Sequence, residues 1–331
     1  EKGIRFGIWI EPEMVNPQSE LYEKHPDWVL QTPGREPALF RSQLTLDLTN
    51  PKVQDFVFGI VDNLMTKYPE IAFFKWDCNS PIMNPYSPYL KDRQTHLYVD
   101  YVRGFYSVLE RIKAKYPRLP MMMCSGGSGR IDYKGLEYFT EFWASDNTDP
   151  IERLFIQYGY SFFYPSKAVC SHVTTWNSRA SVKFRTDVAS MGKLGFDIKL
   201  TDMGEKDIQY AQAAVKNYNR LKPVIMEGDL FRLVSPYEGQ HAANVYVSTD
   251  RRQAVLFTFD VYPRFGELRH NVVLRGLDPA RQYRIQEINL MPGQDTWVHD
   301  RTYSGDYLMN IGLDLFTGSK LNSRVVELTA E

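Results

Sequence analysis

The chain has 331 residues, enough for one large barrel or for part of a barrel plus a small domain. Its 43% hydrophobic and 24% charged residues are an ordinary globular balance, and a formal net charge of -1 gives no ground for a nucleic-acid or anionic-membrane partner. Cys78, Cys124 and Cys170 are an odd set without CxxC spacing, and the six histidines never reach ligand spacing. Both facts exclude a disulfide framework and a recognisable metal centre, and no metal or cofactor is expected.

The first strand expected is Arg5–Ile10, running into Glu11-Pro-Glu-Met14. A strand so close to Glu1, with no initiator Met, suggests a chain cut inside a domain. Trp9, Glu11 and Glu13 have the same parity and share a face if the backbone stays extended. A polar loop over 16–41 is long enough to cover a rim. Asn50 and Pro51 then suit the cap and first turn of a helix, and Val53, Phe56, Val57, Ile60, Val61 and Leu64 continue it at helical spacing.

Ile71–Asn79 begins as an apolar run and ends in Lys75-Trp-Asp-Cys-Asn79. A core strand that turns polar at its last residues is how a parallel barrel presents chemistry at its C-terminal rim. Lys75 and Asp77 project to one side and Trp76 to the other. This segment alone fits either a salt-bridged strand end or a reactive pair. A long amphipathic helix is expected over 92–116. Met121–Arg130 and Glu141–Asp149 repeat the plan of a strand followed by a polar rim, and Pro150 starts a short helix with Asp149 as its cap. The region of Phe162–Ser166, the run to Cys170 and His172, and Gly195–Leu200 supply two further strands, with helices near Ser178–Gly192 and Lys206–Lys222.

Six barrel-type strands are two short of a closed eight-stranded barrel, and the expected place for the others is before Glu1. An open doubly wound sheet is the alternative, but no phosphate-binding GxGxxG or GxxxxGK[ST] stands at a strand end. From about Glu227 the pattern changes to short alternating segments: Phe231–Pro236, Ala243–Ser248, Gln253–Val261, Asn271–Leu277, Gln282–Leu290 and Arg324–Leu328. The expected fold is therefore α/β: an incomplete (β/α)8 TIM barrel over residues 1–226, followed by a C-terminal antiparallel β-sandwich over 227–331.

Three strand ends converge at the rim: Lys75-Trp-Asp77, Cys124-Ser-Gly-Gly127 and Trp143-Ala-Ser-Asp146. Two carboxylates on separate strands, with aromatic rings nearby, are what glycoside hydrolysis needs. Lys75 would keep Asp77 ionised, whereas Asp146 lies against Trp143 with no adjacent cation and is expected to have the higher pKa. Glu11 and Glu13 come from one strand end and cannot easily flank a sugar from opposite sides, so they read as supporting groups.

Five motifs in order resemble the α-galactosidases of glycoside hydrolase family 36: Phe6-Gly-Ile-Trp-Ile-Glu-Pro-Glu-Met-Val15, Leu46-Asp-Leu-Thr-Asn-Pro51, Lys75-Trp-Asp-Cys-Asn79, Cys124-Ser-Gly-Gly127 and Trp143-Ala-Ser-Asp-Asn-Thr-Asp149. The resemblance implies a retaining double displacement on terminal α-galactosides such as raffinose and melibiose, with Asp77 as nucleophile and Asp146 as acid/base. It also implies that Trp9, Arg41, Lys75, Cys124, Gly127 and Trp143 line the galactose pocket, and that subunits self-associate. Cys78 stands where the family usually has Met. A paired-aspartate motif of the family and its large N-terminal β-domain have no counterpart in this sequence. The alternatives are an α-N-acetylgalactosaminidase, a galactosyl-transferring oligosaccharide synthase, or an inactive sugar-binding fragment.

Overall fold

A computed structural model gives the structure, and it describes residues 3–175, 179–298 and 301–331. The expected helix start at Ser178 and His299 lie outside the described residues. The chain divides into two compact units, Glu1–Asp146 and Asn147–Glu331.

In the first unit, β1 (Phe6–Ile10), β2 (Met14–Val15), α1 (Glu20–Lys24), β3 (Leu44–Thr45), α2 (Pro51–Lys67), β4 (Ile71–Trp76), α3 (Leu97–Lys115), β5 (Met121–Met123) and β6 (Glu141–Trp143) follow one another. β1, β4, β5 and β6 pair in that order as a parallel sheet, while β2 and β3 make a separate antiparallel pair. The register sets Trp9 beside Lys75, Trp76 beside Met123 and Met123 beside Phe142, so the C-terminal ends of all four strands are level. Level ends gather the rim residues of four strands in one place.

Local chemistry starts α2 where expected: the Asn50 side chain accepts from the Lys52 N–H, and Pro51 occupies the first turn. Val53, Val57 and Val61 form its buried stripe, each contributing about 1.5–3 kcal/mol of burial. Helix α3 begins at Leu97, five residues later than the apolar pattern suggested, because a 3-10 turn over Gln94–His96 precedes it. Its Gly104 lies against the loop before α2, where a Cβ would stand 1.9 Å from the Leu48 carbonyl oxygen. Any side chain there would push α3 away.

The second unit contains α4 (Pro150–Tyr160), β7 (Val169–Thr174), α5 (Val182–Ala189), β8 (Lys193–Asp197), α6 (Glu205–Glu227), β9 (Asp229–Val234), β10 (His241–Val247), β11 (Gln253–Asp260), β12 (Gln282–Ile288), β13 (Arg301–Ser304), α7 (Gly305–Asn310) and β14 (Asn322–Ala330). β7 and β8 are parallel neighbours. The last six strands form one antiparallel sheet in the order β13-β12-β14-β11-β10-β9. Alternation assigns its two faces: Val255, Phe257 and Phe259 pack with Phe184, Leu221 and Ile225 of the helices. Ala254 and Leu256 face Val272, Leu274, Leu308 and Leu313. The layer on that second face is made of short segments and α7. Asn271–Leu277, expected as a strand, contributes only a single bridge, Val272 to Leu313. Its apolar residues 272, 274 and 277 are buried without a continuous ladder, so burial alone produced the alternating pattern.

Candidate active site

Asp77 follows directly on β4. Its N–H donates to the Ile10 carbonyl oxygen at 2.9 Å, and the Cys124 N–H donates to the Trp76 carbonyl oxygen at 2.8 Å, so the backbone is tied on both sides. The residue is 5% exposed. Its Oδ2 accepts from the Trp9 indole Nε1 at 3.0 Å and its Oδ1 from the Cys78 N–H at 2.9 Å. Burial works to raise its pKa. The hydrogen bonds from Trp9, Asn79 and Cys124, with the charge of Lys75, outweigh that and hold the carboxyl below the usual carboxylate range. Lys75 points its ammonium over the Trp143 ring, 5.1 Å from the centroid, and so acts on Asp77 through space. Trp76 projects the other way into the core, edge-on to Phe105 and Phe139.

Asp146 stands three residues past the end of β6 and is exposed. The buried Trp143 donates its indole Nε1 to Asp146 Oδ1 at 2.9 Å. Between the two aspartates, β5 ends in Cys124 and the turn of Gly126 and Gly127. Gly127 has φ +101° and bridges Ser145; a Cβ on it would stand 2.9 Å from Ser145 Cα and 3.4 Å from the Asp146 nitrogen. Only glycine permits this approach. Cys124 is buried, and that burial, with the Asp77 charge adding to it, pushes its thiol up to about 12, so it is neutral at physiological pH.

Arg41 lies at the tip of a two-residue hairpin closed by reciprocal backbone bonds between Phe40 and Gln43. Arg41 and Ser42 have φ +52° and +61°, a conformation for which Asn-Gly is the usual pair. Its guanidinium reaches Glu11 Oε1 at 3.9 Å. The loop carrying it is stapled to the loop after β4: the Ala38 N–H donates to Asn84 Oδ1 and Asn84 Nδ2 donates to the Ala38 carbonyl oxygen, both at 2.9 Å.

The shared face expected of Trp9, Glu11 and Glu13 does not form. The backbone turns at Pro12, with the Met14 N–H reaching the Glu11 carbonyl oxygen, and parity is lost. Glu11 instead accepts from both the backbone and side-chain nitrogens of Asn79. Glu13 points into the core, where Arg130, Tyr101 and Trp76 bind it. Sequence reasoning gave neither partnership, since Arg130 is 117 residues from Glu13. The one clue was the incompatibility of an extended backbone with the Pro12 turn. Cys78, also buried, lies against Met14 with its sulfur 3.8 Å from the methionine sulfur. Asp149 caps α4 by accepting from Ile151 and Glu152. Asp47 orders the loop before α2 by accepting from Thr49 and Ser87. Among the described residues, no three His, Cys, Asp or Glu side chains gather as metal ligands.

Comparison with known proteins places this geometry in a family. The Melibiase profile matches residues 1–228, and the profile of the glycosyl hydrolase family 36 C-terminal domain matches residues 241–328. Alpha-galactosidase AgaA of Geobacillus stearothermophilus is 36% identical over 95% of this chain and 42% of its own length. Alpha-galactosidase 1 of Pediococcus pentosaceus is 38% identical over 94% of this chain and 42% of its length. The chain thus spans less than half of these relatives. The crystal structure of GH36 alpha-galactosidase AgaB from Geobacillus stearothermophilus superposes with a TM-score of 0.91 at 35% identity, covering 99% of this chain and 45% of that one. An AgaA variant crystallised with raffinose superposes equally well, with the same TM-score and coverage. The fold is the incomplete α/β barrel with an antiparallel C-terminal β-region, and the chain belongs to the melibiases of glycoside hydrolase family 36.

Proposed function

We propose that the chain carries the catalytic centre of a retaining α-galactosidase that hydrolyses terminal α-D-galactosyl residues of galacto-oligosaccharides. Residues 1–226 serve as the barrel portion and 227–331 as the C-terminal β-domain, a division supported by the two family-profile matches. The observation that carries the reading is the pair Asp77 and Asp146, at the ends of β4 and β6 with the end of β5 between them. Strands stand about 4.8 Å apart, so two spacings leave a gap of about 10 Å between the backbones. Carboxyl groups leaning in from both sides suit the roughly 5 Å separation of a retaining pair.

In this mechanism an Asp77 oxygen attacks the anomeric carbon, the bond to the aglycone breaks, and Asp146 gives its proton to the departing oxygen. Asp146 then takes a proton from water, which displaces Asp77 from the opposite side and restores the original configuration. Ionised Asp77 suits attack, and exposed Asp146 can exchange protons with solvent. Trp9 and Trp143 offer apolar faces to the ring, Arg41 and Lys75 donate to hydroxyls, and Cys124 and Gly127 shape the floor. The relatives named alpha-galactosidase, and the raffinose bound to one of them, favour this substrate class.

The test is turnover of nitrophenyl α-galactoside against its 2-acetamido analogue by the full protein that carries this chain, with the first-formed sugar anomer followed by NMR. Preferential cleavage of the galactoside with the α-anomer appearing first is expected. A β-anomer first would sink the double displacement, and preference for the acetamido sugar would move the specificity to N-acetylgalactosamine. Binding without turnover of either would reduce the chain to a sugar-binding module.

A further inference from the structure

Asn79 occupies the meeting point of three strand ends. Its backbone N–H donates to Glu11 Oε1 at 3.1 Å and its Nδ2 donates to the same oxygen at 2.8 Å. Its Oδ1 accepts from the Gly126 N–H at 2.9 Å, and its side chain also hydrogen-bonds the Asp77 carboxylate. The orientation of the amide follows from its surroundings. With Glu11 and Asp77 both acceptors, the NH2 group must face the two carboxylates and the oxygen must face the peptide N–H; a flip would set an oxygen against both. Glu11 is itself held by Gln43 Nε2 at 3.3 Å and by Arg41 at 3.9 Å. A second bond, from Ser125 Oγ to the Cys78 carbonyl oxygen at 2.7 Å, ties the same two loops alongside.

We propose that Asn79, oriented by Glu11, is a positioning residue for the nucleophile, fixing the Asp77 carboxylate and the Gly126–Gly127 turn in one frame. The inference rests on the reading of Asp77 as nucleophile. An amide suits the place because it supplies a donor to each carboxylate and an acceptor to the turn without adding charge. A cation there would pair with Asp77 and blunt its attack, and a third carboxylate would repel it. Through the Gly127–Ser145 bridge, the turn that Asn79 holds also reaches the strand end bearing Asp146.

The experiment measures kcat, KM and pH profiles for nitrophenyl α-galactoside on Asn79→Ala, Asn79→Asp, Glu11→Ala and Glu11→Gln in the full protein. The other groups acting on Asp77, namely Trp9, Lys75 and Cys124, stay in place in the Asn79 variants. Removing a donor from an ionised carboxylate raises its pKa, so the acid limb of kcat/KM moves toward neutral pH in Asn79→Ala. It moves further in Asn79→Asp, which keeps the acceptor for Gly126 but sets a carboxylate oxygen against Glu11 and Asp77, and a native far-UV circular dichroism spectrum of both variants guards against misfolding. kcat falls about 10- to 100-fold, the scale expected for a small displacement of a reacting group, with KM changing far less. Glu11→Gln keeps the acceptor and restores most of the kcat lost in Glu11→Ala. An unmoved acid limb in both Asn79 variants, or equal damage from both Glu11 variants, would overturn the proposal. Azide rescue of Asp77→Gly separates the two failures. Rescue with unmoved Asn79 limbs defeats only the positioning role, whereas normal turnover by Asp77→Gly defeats the nucleophile and with it this inference.

Discussion

Glu13 and Asp77 are both buried carboxylates in the same unit, and they are stabilised by opposite means. Glu13 is fully buried and neutralised by charge: Arg130 meets both its oxygens at 2.9 Å, while Tyr101 and the Trp76 indole add bonds of 2.9 and 2.8 Å. Asp77 is held by uncharged donors: an indole, a peptide N–H, an amide and a thiol, with its nearest cation acting through space. A carboxylate clamped by a guanidinium has its electrons engaged and serves the fold. One held by dipoles stays ionised yet uncompensated, which is the condition for nucleophilic attack. Burial alone therefore does not distinguish the candidate nucleophile from a structural carboxylate; the two differ in the chemistry of their partners.

The sharpest way to break this contrast is Asp77→Ala. Turnover of every substrate should vanish while the far-UV circular dichroism stays native, and azide should restore activity by forming a galactosyl azide of inverted configuration. Recovery of ordinary galactose release without azide would end the assignment. Asp146→Ala comes next. It should cost about 10²–10⁴-fold on raffinose-type substrates, whose leaving groups need the proton, and much less on activated aryl galactosides. Equal losses on both would mean that the acid is another residue. Glu13→Gln tests the other side of the comparison: it strands the Arg130 charge and should lower stability by about 3–5 kcal/mol in denaturant titration. A loss comparable to that of an exposed substitution would show the pair to be dispensable. The mildest is Trp9→Phe, which keeps the ring but removes the indole donor. Because that donor stabilises the ionised form, the Asp77 pKa should rise and the acid limb of kcat/KM shift upward. A limb that stays put would assign the depressed pKa to the remaining partners.

Much of the first unit was legible because its signals are local. Asn50-Pro51 marks a helix start through capping chemistry that acts within three residues, and Asp149-Pro150 does the same at the start of the second unit. The run Ile71–Phe74 is apolar and none of its residues is exposed, as suits a strand paired along both edges inside a sheet. What escaped was long-range or broke a period. The Pro12 turn ended the alternation on which the grouping of Trp9, Glu11 and Glu13 depended. The pairing of Glu13 with Arg130 leaves no local trace in either segment. β13 over Arg301–Ser304 was missed because its short, polar segment runs from two exposed to two half-buried residues and shows no alternation to read. The candidate site was partly visible in the same way: its strand-end residues stand out, while the Asn79 link between Glu11, Asp77 and Gly126 exists only once three strands are side by side.

The staple between Asn84 and Ala38 bears on how product would leave. Two reciprocal bonds, with the Gln31 N–H donating to the Tyr86 carbonyl oxygen at 3.0 Å, tie the Arg41-bearing loop to the loop after β4, so one moves with the other unless these bonds break. Release through a coupled flap of this kind follows one rate constant, and relaxation-dispersion NMR should find the amides of Ala38 and Tyr86 exchanging at the same rate. Asn84→Ala would weaken that coupling, leaving the Gln31–Tyr86 backbone bond as the remaining tie.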